Sequence, residues 1–584
     1  MKFLGNVVAT VIGLFLFFML FFFGIILISA IFGSSDVAVV ESNSVIELKL
    51  DGITNDYGGR YKDPLVTMFS EGDGTGVSDI INAINAAKTD DNIKGISILN
   101  NNASTGLAQS KAIRDELEDF KKSGKFVVAY SNTLSQKDYY INSVADTVYL
   151  NPVGEMDFKG LSSEVMFFKD LQDKSGLKME VIRHGKYKSA VEPYLQNTMS
   201  EANREQITTL LNSVWNSIAK DISKSRNISM GKLNDIANGL LARTPEMAKA
   251  NGLVDKIVYE DVYHDGIRKA LDVKKEKEYN KIDIRDYARN VAMTPQGDGS
   301  DVIAVIYAQG IILGGEGDVG YIGEESMRRA LVEARNDDKV KAIVLRIDSP
   351  GGSALTSDLI WREIELTKKV KPVVASMGNT AASGGYYIAC NSNQIFAEEG
   401  TITGSIGVFG TLPNFTTLTE KIGVDVEQVN THENAAGYSV FLPLGDKFRE
   451  VTQQSVEHIY NVFVNRVATG RKMTIDQVDA IAQGRVWTGA DALKIGLVDK
   501  IGGMDDALKA AAKLAKIKDY RTRDYPEYEK EFGELFAGFP FAKSKESFIK
   551  QEIGAENYKM IEQIRRLTSM KGIQALLPFE LNIN

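Results

Sequence analysis

The chain has 584 residues, of which 44% are hydrophobic and 25% are charged, and these are the proportions of a globular protein. Its formal net charge of −9 and the lack of any basic stripe exclude nucleic acid as an expected partner. The single cysteine, Cys390, excludes an internal disulfide and a cysteine metal cluster, and we predict neither a metal nor a cofactor.

The chain begins with a long apolar run, and residues 3–35 carry no charged side chain. A helix over residues 7–32 would span roughly 39 Å at ~1.5 Å per residue, more than the ~30 Å of a bilayer's hydrocarbon core. A cleavable signal has an apolar region of only ~7–15 residues. We therefore predict that residues 1–35 are a short cytoplasmic segment and an uncleaved transmembrane helix. Lys2 precedes the run and acidic residues follow it, which puts the rest of the chain outside the cytoplasm.

Strand-like and helix-like segments alternate along the rest of the chain. In the first half, the patterns predict strands at 45–50, 95–99 and 126–130, and helices at 77–87 and 109–122. In the second half, they predict strands at 302–307, 342–347 and 373–377. Strands that alternate with helices in this way predict an α/β fold with parallel strands.

The two halves look like copies of one unit. The segment Asp-Asp-Asn-Ile-Lys-Gly-Ile that begins at Asp90 matches Asp-Asp-Lys-Val-Lys-Ala-Ile, which begins at Asp337. The triplet Tyr-Tyr-Ile at 139–141 recurs at 386–388 with the same spacing. So long a period indicates a domain duplication. The predicted organisation is a first domain at 44–270, a linker at 271–299, a second domain at 300–515 and an extension at 516–584.

When the halves are aligned, each has lost what the other has kept. The second half has Ser383, followed by two glycines, where the first half has Gln136. A serine at a strand-to-helix turn is how an activated nucleophile is usually displayed. The first half has Lys188 where the second half has Ala435. Neither half alone therefore carries both a nucleophile and a lysine.

A glycine turn in the second half is suited to stabilising an anion. Ser-Pro-Gly-Gly at 349–352 follows a predicted strand and precedes a helix-like segment. A turn of this kind points backbone N–H groups at a developing negative charge. We predict that the N–H groups of Gly352 and Gly384 form an oxyanion hole.

The residues alone leave open which side chain would act as the base for Ser383. Histidine is the usual partner of a serine nucleophile, and the chain has four of them: His184, His264, His432 and His458. A lysine can serve if burial lowers its pKa towards neutrality. The spacing of Lys188 does not by itself decide between that lysine and its neighbour His184.

Several motifs resemble one family. They are Tyr-Lys-Ser-Ala-Val-Glu-Pro at 187–193, Ser-Pro-Gly-Gly at 349–352, Ser-Gly-Gly-Tyr-Tyr at 383–387, Thr-Gly-Ser-Ile-Gly at 403–407 and the segment 484–499. Together they resemble the signal peptide peptidase A family in its long, tandem form, also called protease IV. The resemblance extends from the apolar run to about residue 515.

The resemblance implies a ClpP/crotonase-like fold in each half and a Ser–Lys dyad. It implies that Ser383 is the nucleophile, that Lys188 is the general base and that Ser405 orients the lysine. It also implies a homotetramer, anchored in the bacterial inner membrane by one helix, with its catalytic domains in the periplasm. The implied activity is degradation of cleaved signal peptides and other apolar peptides through an acyl-enzyme.

Two other functions stay open at this point. A crotonase-type acyl-CoA enzyme would share the fold and the oxyanion hole, but coenzyme A is cytoplasmic and such enzymes need no serine–lysine pair. A non-catalytic membrane scaffold is the other, and failure of Ser383 to react with any acylating probe would favour it.

Overall fold

A computed structural model describes residues 2–32, 38–62, 74–293, 299–529 and 574–576. Its first element is the helix Lys2–Phe32, whose described side chains from Val11 to Phe23 are largely exposed. Over the residues that the structure describes, no helix is both long and apolar enough to cross a membrane. A helix thus lies where the anchor is predicted, and its insertion into a membrane stays a prediction.

The first half is built on a parallel sheet. Its strands are β1 (Ser44–Leu48), β2 (Arg60–Tyr61), β3 (Ile93–Leu99), β4 (Phe126–Leu134), β5 (Thr147–Met156), β6 (Lys178–His184), β7 (Lys256–Ile257) and β8 (Lys281–Asp283). Six of them form one sheet in the order β7-β5-β4-β3-β1-β8, and all five pairings in it are parallel. The central strands are rich in isoleucine and valine because a parallel sheet is covered on both faces.

Helices cover this first sheet. They are Val77–Ala87, Leu107–Lys121, Gln136–Asn142, Lys169–Ser175, Glu192–Leu195, Glu201–Arg226, Met230–Gly239, Pro245–Ala250, Glu260–Ala270 and Ile284–Met293, together with a 3-10 turn at Ser189–Val191. Most of their apolar faces share one hydrophobic core with the strands, and the helix Glu260–Ala270 packs in a second, smaller cluster on the same sheet.

The second half repeats this plan with extra strands. They are β9 (Asp301–Gln309), β10 (Ile311–Leu313), β11 (Gly317–Asp318), β12 (Tyr321–Gly323), β13 (Val340–Ser349), β14 (Gly351–Ser353), β15 (Val373–Ala382), β16 (Gln394–Ala397), β17 (Ile402–Gly404), β18 (Val408–Asn414), β19 (Val486–Thr488), β20 (Lys500–Ile501), β21 (Tyr520–Tyr525), β22 (Glu527–Tyr528) and β23 (Gln574–Leu576). The main sheet runs β19-β17-β15-β13-β9-β21, and β16 joins β15 to β20.

Most helices of the second half enclose a separate core, and the helix Met504–Ala515 packs in a smaller cluster on the main sheet. The helices of this half are Glu324–Asn336, Ala354–Lys368, Gly384–Ala389, Thr416–Ile422, Asp446–Arg471, Ile475–Ile481, Gly489–Lys494 and Met504–Ala515. Cys390 ends the helix Gly384–Ala389 and is fully buried in this core. The two sheets and two cores confirm the predicted tandem α/β architecture.

The halves meet through a third sheet and through buried polar contacts. This sheet runs β11-β12-β10-β14-β23-β18-β6, and β6 of the first half pairs antiparallel with β18 of the second. Elsewhere Arg346 Nε lies 2.6 Å from Asp56 Oδ2, and both side chains are buried. The rings of Tyr57 and Tyr307 stack with centroids 4.7 Å apart. Residues of both halves therefore share one continuous strand ladder.

Described elements continue past two of the predicted domain boundaries. The predicted linker is 271–299, and within it β8 lies beside β1 in the first sheet, while the helix Ile284–Met293 buries Ile284 and Tyr287 in the first core. The predicted second domain ends at 515, and β21 lies beside β9 in its sheet. Both strands lie at sheet edges, where charged side chains on the open face dilute the apolar pattern.

Candidate active site

The turn that carries Ser383 joins β15 to the helix Gly384–Ala389. Ser383 has φ 54° and ψ −115°, and a positive φ is uncommon for a residue with a side chain. Its N–H donates to Gly404 O at 2.8 Å, and its C=O accepts from Tyr387 N at 2.8 Å. Hydrogen bonds on both sides thus hold a strained backbone, and strain of this kind clusters at functional sites.

Lys188 approaches this turn from the other half. It lies between β6 and the 3-10 turn Ser189–Val191, and its backbone packs against Gly484. A Cβ added at Gly484 would lie 2.7 Å from Lys188 N, and Gly484 has φ 80°. Only glycine fits so close an approach with that backbone angle. A glycine of the second half therefore allows the lysine segment to lie against the serine.

The amine of Lys188 has three oxygen neighbours. Its Nζ lies 2.9 Å from Ser383 Oγ, 3.0 Å from Ser405 Oγ and 3.1 Å from Ser405 O. The ring centroid of Phe409 lies 6.0 Å from the same nitrogen. The structure therefore brings together three predicted site residues. In the sequence, Lys188 is about two hundred positions away from either serine.

Burial favours the uncharged form of this amine. The side chain of Lys188 is fully buried, and burial alone lowers the pKa of its ammonium group well below the ordinary value. Desolvation disfavours the charged form of a lysine when no carboxylate compensates it. A neutral amine has a free lone pair, so the hydroxyl of Ser383 can donate its proton to Nζ.

The two amides that were predicted to form the oxyanion hole lie beside each other. A Cβ added at Gly384 would lie 3.2 Å from Gly352 N, and a Cβ added at Gly351 would lie 2.7 Å from Gly384 N. Gly351 N also donates to Ser349 Oγ at 3.1 Å, which holds the beginning of the turn. The amide of Gly384 directly follows Ser383, and the amide of Gly352 lies next to Gly384, which is an arrangement suited to an oxyanion hole.

Sequence reasoning missed Asp348, which connects the two turns of the site. Its carboxylate accepts from Asn379 Nδ2 at 2.8 Å and from Thr380 N at 2.9 Å. Burial and the nearby carboxylate of Asp56 raise the pKa of Asp348 to about 7. Asp348 thus connects β13, which precedes Ser-Pro-Gly-Gly, to β15, which precedes Ser383. Its position directly before the glycine turn is the sequence feature from which it could have been predicted.

The alternative base has other partners. His184 Nδ1 lies 2.6 Å from Glu457 Oε2, and its ring stacks on Tyr460 with centroids 3.7 Å apart. His264 Nδ1 lies 2.8 Å from the hydroxyl of Tyr279. The geometry thus favours the lysine over these histidines as the group in contact with the serine.

Comparisons with known proteins agree with one another. The chain matches peptidase family S49 twice, at residues 119–274 and 365–518. It is 36% identical to Protease 4 of Haemophilus influenzae over 84% of this chain and 83% of that protein. It is 38% identical to Protease 4 of Salmonella typhi over 76% of this chain and 73% of that protein.

A plant relative and a solved structure were also found. The chloroplastic serine protease SPPA of Arabidopsis thaliana is 34% identical over 79% of this chain and 68% of that protein. A ClpP1 variant from Listeria monocytogenes is 15% identical, with a TM-score of 0.24, over 35% of this chain and 94% of that one. The ClpP/crotonase-like topology stays a prediction, because so low a score carries no argument. By its two matched domains and its relatives, the chain belongs to peptidase family S49 and is a serine-type peptidase.

Proposed function

We propose that the protein is a membrane-anchored endopeptidase in which Ser383 is the nucleophile and Lys188 is the general base. The observation that carries the proposal is the 2.9 Å separation of Lys188 Nζ and Ser383 Oγ in a fully buried setting. A buried lysine with a lowered pKa is a competent proton acceptor near neutral pH.

The proposed reaction proceeds in two halves. Ser383 Oγ attacks the carbonyl carbon of a peptide bond while its proton passes to Lys188 Nζ. The N–H groups of Gly352 and Gly384 stabilise the oxyanion, and Lys188 then gives its proton to the departing amine. Water attacks the resulting ester as Lys188 takes one of its protons, and Lys188 returns that proton to Ser383 Oγ when the carboxylic acid leaves.

Ser405 is proposed to position the lysine. Its hydroxyl and its carbonyl oxygen both contact Lys188 Nζ, and its N–H donates to Arg485 O at 2.7 Å. Like Ser383, Ser405 has a positive φ, of 51°. Two oxygens fixed by one residue hold the amine in a single orientation towards the nucleophile.

The proposed substrates are apolar peptides in an extended form, including cleaved signal peptides. An extended peptide can pair with β14, whose glycines lie beside the nucleophile. Cleaved signal sequences remain in membranes, and the charge-free residues 3–35 would hold the enzyme there. The exposed apolar side chains of the helix Lys2–Phe32 also call for a covering such as lipid.

The proposed setting is the bacterial inner membrane, with a single pass and with the catalytic halves in the periplasm. The lysine before the apolar run and the acidic residues after it support that orientation. The homotetramer rests on the family resemblance. Resistance of the protein to alkaline extraction from membranes, and its size in mild detergent, would check the anchor and the assembly.

The decisive experiment is to label the active protein with an acylating, serine-reactive probe and to locate the adduct by mass spectrometry. We expect one adduct, on Ser383, and none in Ser383→Ala, which should keep its fold but lose peptide hydrolysis. We also expect kcat/KM to rise with pH through an apparent pKa below the ~10.4 of free lysine. A Ser383→Ala protein that hydrolyses peptides normally would refute the proposal.

A further inference from the structure

Strand β23 lies between two strands of the active site. It pairs antiparallel with β14, so that Ala575 lies opposite Gly352. On its other edge Gln574 pairs antiparallel with Phe409 of β18, the residue whose ring faces the catalytic amine. We call the space between β14 and the start of β18 the catalytic groove. A segment of the same chain therefore occupies it.

The segment is buried as well as paired. Gln574 has 2% of its surface exposed and Ala575 has 1%. A strand that gains backbone partners on both edges is bound in the way that extended peptides bind to sheet edges. The segment is therefore enclosed by its neighbouring strands. A peptide substrate that pairs with β14 would need the same backbone groups of β14.

The carbonyl group of Ala575 points to the catalytic turn. A Cβ added at Gly351 would collide with the oxygen of Ala575 and would also lie 2.7 Å from Gly384 N. The oxygen and that amide therefore lie on the same side of Gly351. Gly384 is the residue after the nucleophile and supplies one of the amides proposed for the oxyanion. The segment thus presents a carbonyl group close to where a substrate's carbonyl would be held.

We propose that residues 574–576 are a built-in peptide ligand of the catalytic groove and compete with peptide substrates for it. The inference rests on the proposed function, because it takes the groove next to Ser383 to be the substrate site. The segment belongs to the same chain, so its binding is intramolecular and its effective concentration does not fall when the protein is diluted. A competitor of this kind raises the apparent KM of peptides that use the groove.

The test compares the wild-type chain with Ala575→Pro. Proline removes the N–H of residue 575 from the ladder and restricts its backbone, so the segment should leave the groove. For a short apolar fluorogenic peptide we expect KM to fall by about three- to ten-fold, as loss of a tethered competitor predicts, with kcat within two-fold. Val429→Pro is the matched control, because Val429 is a fully exposed loop residue, and it should keep the wild-type KM.

A second measurement separates this inference from the proposed function. On a Ser383→Ala background, which needs no catalysis, Ala575→Pro should raise the affinity for a labelled apolar peptide by the same factor. If neither the wild type nor Val429→Pro hydrolyses any peptide, the proposed function fails, while this binding comparison still decides the inference. Equal KM and equal affinity with and without Ala575→Pro would overturn the inference alone.

A synthetic peptide covers the case in which the variant does not fold. The heptapeptide with the sequence of residues 572–578 should inhibit the wild-type protein competitively, and its counterpart with proline at the position of Ala575 should not. Equal inhibition by the two peptides, or inhibition by neither, would count against the backbone pairing that the inference requires.

Discussion

The two halves share a fold but differ at the turn that would carry a nucleophile. In the second half, Ser383 is held at φ 54° beside two glycine amides. In the first half, the equivalent turn is relaxed: Ser135 has φ −67° and caps the helix Gln136–Asn142 by accepting from Asp138 N. The strained conformation is therefore found at Ser383 and not at Gln136, its counterpart in the first half.

In the first half, Gln136 stands in the position of Ser383 and makes hydrogen bonds to the backbone of its own half. Gln136 Oε1 accepts from Gly160 N at 2.9 Å and from Lys159 N at 3.1 Å, while its Nε2 donates to Gly160 O at 3.1 Å. These bonds satisfy a buried carboxamide within its own half. Gln136 thus has a structural role at the position that Ser383 occupies in the second half.

The strands that pair across the two halves also differ between the halves. β18 of the second half pairs with β6 of the first. Residues 161–167 and 425–431, which occupy the equivalent positions in the opposite halves, form no strand. Of these two possible strand pairings, the described residues form one, and it is the one at which Lys188 meets Ser383. The proposed site therefore lies between the two units rather than within either of them.

The largest expected effect is at Lys188. Lys188→Arg should be as inactive as Lys188→Ala, with kcat/KM lower by about 10³-fold or more, because arginine stays protonated and cannot accept the proton of Ser383. Lys186→Arg, an exposed neighbour, is the matched control and should stay near the wild-type rate. An active Lys188→Arg enzyme would remove the lysine from the mechanism and bring His184 forward.

Mixing inactive chains tests whether the site lies within one chain. Ser383→Ala and Lys188→Ala chains, assembled together, should stay as inactive as either alone, because each chain then lacks one member of its own pair. Peptide hydrolysis by the mixture is the measurement. Recovery of about a quarter of the wild-type activity, the share of sites that would regain both residues, would show that neighbouring chains supply the two groups.

The ion pair between the halves should carry the largest effect on stability. Asp56→Asn leaves the Arg346 guanidinium buried without its carboxylate, which typically costs about 3 to 5 kcal/mol. Adding Arg346→Met should recover most of that loss in denaturant unfolding. The exposed pair of Lys62 and Glu529 is the control, and Glu529→Gln should change the free energy of unfolding by less than about 1 kcal/mol. Equal losses at both pairs would contradict the prediction.

Ser405→Ala should have a smaller effect on activity. We expect kcat to fall by about 10- to 100-fold, at or below the lower end of the ~10²–10⁴-fold range for general-base effects, while KM stays within two-fold. The reason is that Ser405 contacts the amine of Lys188 and acts by positioning it. A change confined to KM, measured with the same peptide, would mean that Ser405 contacts the substrate instead.

The smallest expected effect comes from restoring the lost residues. In a Ser383→Ala background, Gln136→Ser with Ala435→Lys should produce no hydrolysis above background. The first half lacks the glycine turn, having Asn-Ala-Ser-Thr at 102–105 in its place, and residues 425–431 form no strand that could carry the lysine to it. Detectable hydrolysis would show that the first half keeps a latent site.

The central pair of the proposed site was accessible from the sequence. The duplication showed which residues each half lacks, the family resemblance pointed to Lys188 as the partner of Ser383, and the structure places Lys188 Nζ 2.9 Å from Ser383 Oγ. The strands predicted at 95–99, 126–130 and 373–377 lie within β3, β4 and β15, because buried parallel strands are nearly continuous apolar runs.

What the sequence missed depends on contacts between distant residues. Asp56 and Arg346 look like ordinary surface charges, and only the packing of the halves buries them together. β23 is three residues long and pairs through its backbone, so no side-chain pattern predicts it. The edge strands β8 and β21 carry charged residues on an open face, which hides their period of two.

The close approach of Gly484 to Lys188 has a consequence for how the protein is made. The lysine emerges from the ribosome early, but the segment that holds it and Ser405, at Gly484 and Arg485, emerges 297 residues after it. At ~5–20 residues per second, that interval is roughly 15 to 60 s. Under the proposed mechanism the nascent chain has no complete site during this interval, so the order of synthesis itself delays peptide hydrolysis.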